Sequence, residues 1–126
     1  LYEQDRRHWL CTWSERPFFA LRPDIRIQRG DKEWLLDCKW KRLAGNMGRH
    51  FGISRQDVYQ LFAYGQTCLR GKGDLALVYP QHAAFPALHA PFCFSDTLRL
   101  WILAFDLHSG RLLLPSDCPL GEAFGV

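Results

Sequence analysis

The stretch Asp74-Leu-Ala-Leu-Val-Tyr-Pro80 narrows the fold more than any other part of the chain. It is a nearly continuous apolar run of strand length, so a strand made from it has no polar face to offer water and must be covered on both sides. The segment before it reads as a helix. Ser54 is placed as N-cap, with Asp57 three residues on completing a capping-box-like pair, and Ile53 and Val58 can staple the same end. Val58, Leu61, Phe62, Gly65, Cys68 and Leu69 recur at helical spacing and give the buried face, and Gly71 is placed to stop it. A strand that follows a helix returns most simply parallel to the strand before that helix, through a right-handed crossover. The expectation is an α/β domain, with a mixed central β-sheet flanked by helices, formed by residues 1–126 as one unit.

Upstream, residues 18–40 read as two strands around a tight turn. The first is expected over Phe18–Gln28, with Phe19, Leu21, Ile25 and Ile27 on one face and Ala20, Arg22, Asp24, Arg26 and Gln28 on the other. Pro23 inside that pattern predicts a bend. Gly30-Asp31 suits a two-residue hairpin turn, since glycine tolerates the positive φ such turns demand. The return strand, Glu33–Trp40, puts Leu35, Asp37 and Lys39 on one face. Pairing about Gly30-Asp31 sets Asp24 opposite Asp37. Two carboxylates so close repel by about 3–4 kcal/mol at an effective dielectric near 20. A divalent cation between them converts that penalty into a binding site.

The rest of the chain adds context. Leu1–Trp13 is expected to be the end of a helix, broken by Ser14-Glu15-Arg16-Pro17. Lys41–Gly52 is a loop whose Lys41, Arg42, Arg49 and His50 suit either phosphate contact or an ordinary exposed loop. Asp57, Gln60 and Tyr64 form a second stripe on the helix, beside its apolar face and along the seam with the sheet. Capping is the first expectation for Asp57, and an amphipathic edge accounts for the other two taken alone. Phe92–Ser95 and Leu98–Leu107 read as further strands, the latter alternating around Leu100, Ile102 and Ala104. The tail from Leu112 carries no clear signal.

Composition sets the setting. With 48% hydrophobic residues and no low-complexity tract, the chain is not of the disordered class. Five widely spaced cysteines without a Cys-x-x-Cys pair, and five scattered histidines, give no zinc or cluster signature. Reduced thiols in a cytoplasmic protein are expected. The most apolar run, Leu98–Leu107, carries Arg99 and Asp106 and is too short to span a bilayer, so no membrane partner is expected. Residues 1–56 hold twelve Lys or Arg against seven Asp or Glu, whereas residues 57–126 hold four against six. The basic half is the half with the opposed carboxylates, which suits a polyanion approaching a metal site.

In order, these elements resemble the PD-(D/E)xK nuclease superfamily. Pro23-Asp24 supplies the first half of its motif and Asp37-Cys38-Lys39 the second, after a twelve-residue gap. Gln60-Leu-Phe-Ala-Tyr64 is similar to the Gln-x-x-x-Tyr motif of the RecB-like branch. More narrowly, Pro23-Asp-Ile, Leu35-Leu-Asp-Cys-Lys-Trp-Lys41, Asp57-Val-Tyr-Gln-Leu-Phe-Ala-Tyr-Gly65 and Leu77-Val-Tyr-Pro80 resemble the nuclease domain of the McrC family, the cleavage subunits of McrBC-like restriction systems. That resemblance covers residues 18–80.

The resemblance implies a restriction-endonuclease-like core and a Mg²⁺-dependent DNA endonuclease, the cleavage subunit of a GTP-driven, modification-dependent (type IV) antiphage system. Its partners would be DNA and an McrB-like AAA+ GTPase motor. Asp24, Asp37 and the backbone carbonyl of Cys38 would ligate Mg²⁺, with Mn²⁺ as a substitute. Lys39 would orient or help deprotonate water and offset charge on the phosphate. Gln60 and Tyr64 would position the DNA backbone, with Lys41, Arg42 and Arg49 as further DNA contacts. Glu3 is a secondary upstream acidic candidate. The chain opens with Leu, and a C-terminal fragment without the family's motor-docking region is expected. Two other readings compete. A RecB- or Cas4-like exonuclease often carries cluster-binding cysteines, which the spacing here does not support. An inactive nuclease-fold scaffold or DNA-binding module has no need of an intact Asp24, Asp37 and Lys39.

Overall fold

The structure, a computed structural model, describes residues 8–123. Among these residues eight strands run in chain order as β1 (His8–Trp13), β2 (Arg16–Leu21), β3 (Ile25–Arg29), β4 (Lys32–Cys38), β5 (Gly73–Pro80), β6 (Phe92–Cys93), β7 (Leu98–Asp106) and β8 (Arg111–Leu113). The helices are α1 (Arg55–Cys68) and the single-turn α2 (Leu120–Ala123). Six strands form the main sheet, in the order β3-β4-β5-β7-β6, with β8 also on β7. β4, β5 and β7 run parallel, and β3, β6 and β8 pair antiparallel to their neighbours.

The predicted covered strand sits at the middle of this sheet as β5. Leu75, Leu77 and Tyr79 face α1 in one cluster with Leu35, Leu61, Tyr64, Leu98 and Leu100. Ala76 and Val78 face the other way, with Ile27, Trp34, Leu36, Trp101 and Leu103. β7 behaves similarly: its burial runs nearly unbroken from Leu98 to Ala104, so it is a second covered strand rather than an alternating one. α1 covers one face. On the other, the tail read as uninformative supplies Leu112, Leu114, Cys118 and Leu120. Among the described residues α1 is the one long helix, so a sheet flanked by helices is realised on a single face.

Residues 8–21 correct the sequence reading. The part of Leu1–Trp13 that is described is strand, paired antiparallel to β2 from His8↔Leu21 to Trp13↔Arg16. Ser14 and Glu15 both have positive φ, +49° and +67°, as a primed two-residue hairpin turn requires. The i,i+4 spacing of Trp9 and Trp13 imitates a helix, but cross-strand contact between aromatics, such as Trp13 on Phe18 at 5.9 Å, uses the same residues. The strand expected over Phe18–Gln28 is likewise two strands, parted at Arg22-Pro23-Asp24. Leu21 therefore packs beneath α1, whereas Ile25 and Ile27 pack on the opposite face.

α1 starts as predicted, with the Ser54 hydroxyl accepting the Asp57 amide at 3.4 Å. Its end is closed by Gly71 (φ +78°), whose amide donates to the Gly65 carbonyl at 2.9 Å. Phe62, expected in the buried face, is instead exposed and rests edge-on against Phe94. Gly65 sets how closely helix and sheet approach: a Cβ there would lie 2.6 Å from Leu98 Cδ2 and 3.0 Å from Leu75 Cδ1, both fully buried. Gly65→Ala is expected to lower stability by about 1–2 kcal/mol, because overpacking outweighs alanine's better helix propensity. An unchanged denaturant midpoint would contradict this close approach. No helix among the described residues is long and apolar enough to cross a membrane.

Candidate functional site

The hairpin has the register read from the sequence. Arg29 pairs with Lys32 and Ile25 with Leu36, and Gly30 carries φ +64° in the first turn position. The ladder stops one step short of Asp24 and Asp37, where the backbone bends at Pro23. There the two acids interlock through main-chain donors. The Asp24 amide donates to Asp37 Oδ1 at 3.2 Å, and the Cys38 amide donates to Asp24 Oδ2 at 2.8 Å. The side chains differ in setting: Asp24 is exposed, whereas Asp37 is only 4% exposed.

Lys39 extends from the end of β4, where its amide continues the parallel ladder to the Val78 carbonyl at 2.8 Å. Its ammonium lies 2.9 Å from Asp37 Oδ2 and 3.4 Å from Asp57 Oδ1, and donates to Gln60 Oε1 at 3.0 Å. Gln60 Nε2 in turn donates to the Tyr64 hydroxyl at 3.0 Å. Asp57, Gln60 and Tyr64 lie three and four residues apart, so one row of α1 meets the end of β4. Tyr64, expected beside the buried face, is part of it at 2% exposure. Asp57 is the residue whose role the sequence reading understated. Its amide is capped by Ser54, but its carboxylate reaches Lys39. The stripe spacing of residues 57, 60 and 64 was the available signal.

Burial pushes the Asp37 carboxyl above the usual range, and the neighbouring Asp24 charge adds to the push, while the Lys39 ammonium partly offsets both. For Lys39, burial works against its charge, but the Asp37 and Asp57 carboxylates outweigh it and hold the amine above its ordinary value. Lys39 is thus a fixed cation. Burial, then the charges of Asp37 and Asp24, raise the Tyr64 hydroxyl as well, so it stays a neutral hydrogen-bonding group.

Two carboxylates, Asp37 and Asp57, share one ammonium here, and a third, Asp24, lies beside Asp37. The arrangement attracts a further cation and repels a bare phosphate. Asp24 keeps an exposed carboxylate beside the Asp37 carboxyl and the main chain of Cys38. No group of three or more His, Cys, Asp or Glu side chains suited to a metal occurs among the described residues. Two carboxylates plus a carbonyl do not make a structural zinc site, but they fit Mg²⁺, which binds through one or two carboxylates and retains water. The Cys38 thiol packs on the opposite sheet face, among Ile25 and Leu36.

The other predicted residues fall around this centre without entering it. Lys41, Arg42 and Arg49 are exposed and form no ion pair among the described residues. Their loop is anchored rather than free: Leu43 is fully buried, its carbonyl is hydrogen-bonded by the His82 ring, and the Gly45 amide donates to the Ala84 carbonyl at 3.3 Å. Glu3 lies outside the described residues.

Comparison with known proteins gives two matches. The family model described as "McrBC 5-methylcytosine restriction system component" matches residues 1–80. Among solved structures, the fold is similar to a chain in the refined half-complex from the tetradecameric assembly of Thermococcus gammatolerans McrB AAA+ hexamers with bound McrC. The TM-score is 0.56 at 14% identity, covering 84% of this chain and 25% of that one. The chain therefore spans about a quarter of the length of that relative. No match was found among the curated proteins.

Proposed function

Because the chain belongs to the McrBC 5-methylcytosine restriction system component family, we propose that it is the DNA-cleaving domain of such a system, a Mg²⁺-dependent endonuclease with a restriction-endonuclease-like core. The observation that carries this reading is the Lys39 ammonium, held at once by Asp37, Asp57 and Gln60, beside the interlocked Asp24–Asp37 pair. An inert sheet has no use for two acids around one lysine at a strand end, with a third acid locked against one of them. The carboxyl ends of parallel strands are also where α/β sheets place their ligands.

Asp24, Asp37 and the Cys38 carbonyl would hold Mg²⁺, or Mn²⁺ in its place, which supplies neutralisation of phosphate charge and activation of water. Lys39, kept cationic by its acids, donates a hydrogen bond to a phosphate oxygen or to the attacking water and offsets the charge that grows on phosphorus. That assigns it an electrostatic role in preference to that of a base. Asp57 and Gln60 fix the ammonium from the helix side, and Tyr64 fixes Gln60 through its hydroxyl. Lys41, Arg42 and Arg49 face solvent on the anchored loop and would take the flanking phosphates. None of these groups is arranged to read a base, so recognition of the modified cytosine is assigned to an McrB-like GTPase partner. The five free cysteines suit a reducing, cytoplasmic setting.

The reading is tested with circular DNA and Mg²⁺, with and without the GTPase partner and GTP. Cutting of circles that depends on the partner is expected. Digestion of linear ends alone would identify an exonuclease. Failure to cut any DNA with the partner present would leave a scaffold, and vigorous, sequence-indifferent cutting by this chain alone would contradict the restriction-system assignment.

A further inference from the structure

On the flank of α1 away from Lys39 lies a recess, a cavity of about 240 Å³. Its floor is Leu100, Ile102 and Val58, its walls include Phe51 and Phe92, and Arg49, His50 and Arg55 stand at its rim. The rim residues are exposed and Phe92 is 44% exposed, so the recess opens to solvent. An apolar recess lined by two phenylalanines, with cationic residues exposed beside it, is neither an ordinary core defect nor a site for a metal. It offers a flat apolar body a place to stack and an anion a place to rest.

Phe51 shows that the recess is built. It has φ +59°, a left-handed conformation that bulky residues rarely adopt. The backbone is locked there from both sides: the Phe51 amide donates to the Gly48 carbonyl at 3.3 Å, and its carbonyl accepts the Ala44 amide at 3.2 Å. Glycine would satisfy this backbone without strain, as it does at the neighbouring Gly48 and Gly52. A phenylalanine held in a glycine conformation points to a use for its ring.

We propose that this recess binds an unpaired nucleobase of the DNA strand, stacked against Phe51 and Phe92, with the adjoining phosphates on Arg49 and Arg55. The inference rests on the reading that DNA is the substrate and adds that the strand at the site is locally unstacked. The recess and the Lys39 centre lie on opposite flanks of the first turns of α1. A helix with its side chains is about 10–12 Å across. The loop carrying Arg49 and Phe51 would then link phosphate grip to base capture.

The experiment measures binding of a short oligothymidylate, its abasic counterpart and a blunt duplex, in EDTA so that cleavage plays no part. Single-stranded DNA is expected to bind more tightly than the abasic strand. Phe51→Gly, which relieves the backbone and so keeps the fold, and Phe92→Ala should each weaken oligothymidylate binding by about tenfold, the scale of base–aromatic stacking. Both should leave abasic binding unchanged, and Arg55→Gln should weaken both strands. Equal affinity for intact and abasic strands, or an unchanged affinity in Phe51→Gly at an unchanged melting temperature, would overturn the proposal. Asp37→Asn, run in parallel, separates the two readings: it tests cleavage, and in EDTA the tenfold loss on Phe51→Gly should appear equally in the Asp37→Asn background.

Discussion

Asp37→Asn is expected to eliminate Mg²⁺-dependent cleavage, by roughly 10³-fold or more, at or beyond the upper end of what losing one electrostatic group costs, while the fold persists. The substitution is nearly isosteric: the amide oxygen still accepts the Asp24 amide now bound at 3.2 Å, while the amide NH2 replaces the oxygen 2.9 Å from the Lys39 ammonium, which must turn away from it. It removes a charge that burial and Asp24 both disfavour, so the metal-free protein should melt at the same or a higher temperature. Lys39 keeps Asp57 and Gln60 as partners. Loss of the metal site shows in the response to Mg²⁺. A ligand at a hundred times its dissociation constant stabilises by about 2.7 kcal/mol, a shift expected in the natural protein and absent in the variant. Cleavage retained at normal rates would remove Asp37 from the site altogether.

Lys39→Met should separate chemistry from metal binding. The thioether keeps the apolar stem in the half-buried seam but has no charge. Cleavage is expected to fall by about 10²–10³-fold, the usual cost of removing a donor aimed at developing charge. Mg²⁺ affinity should hold or tighten, because Asp37 Oδ2 loses the ammonium that now sits 2.9 Å from it. Without metal, the buried Asp37 carboxylate is left uncompensated, and stability should drop by about 1–3 kcal/mol. Mg²⁺ should restore most of it, giving a larger thermal shift in the variant than in the natural chain. A variant that binds Mg²⁺ weakly, or cleaves at the natural rate, would assign Lys39 to structure alone.

Much of this was legible in local pattern. The alternation and turn chemistry of residues 25–38 gave the hairpin its register, because a one-residue slip would turn Ile27, Trp34 and Leu36 to the wrong face. The Ser54 cap and the spacing behind it placed α1 to within a residue. Errors fell where one pattern serves two structures. Trp9 and Trp13 satisfy a helical period, yet His8–Trp13 is a ribbon strand whose partner lies beyond a primed turn that Ser14-Glu15 does not advertise. Pro23 signalled a bend, but not that the bend would end one strand, begin another and send Leu21 and Ile25 to opposite faces. Phe51 gave no signal at all, since its positive φ is fixed by main-chain hydrogen bonds to Gly48 and Ala44 that no side-chain pattern advertises.

By itself the sequence determined which residues could be neighbours along one strand or one helix: Asp37 with Lys39, Gln60 with Tyr64, and through a tight turn Asp24 with Asp37. Only the tertiary structure decided that these sets face each other. The meeting of Lys39 with Asp57 and Gln60 depends on how closely α1 settles on the sheet, a distance set by Gly65 against Leu98 and Leu75. Periodicity is a property of a few consecutive residues and can be read locally. Charge balance and burial at a site sum over elements far apart in the chain, and they exist only once those elements have packed.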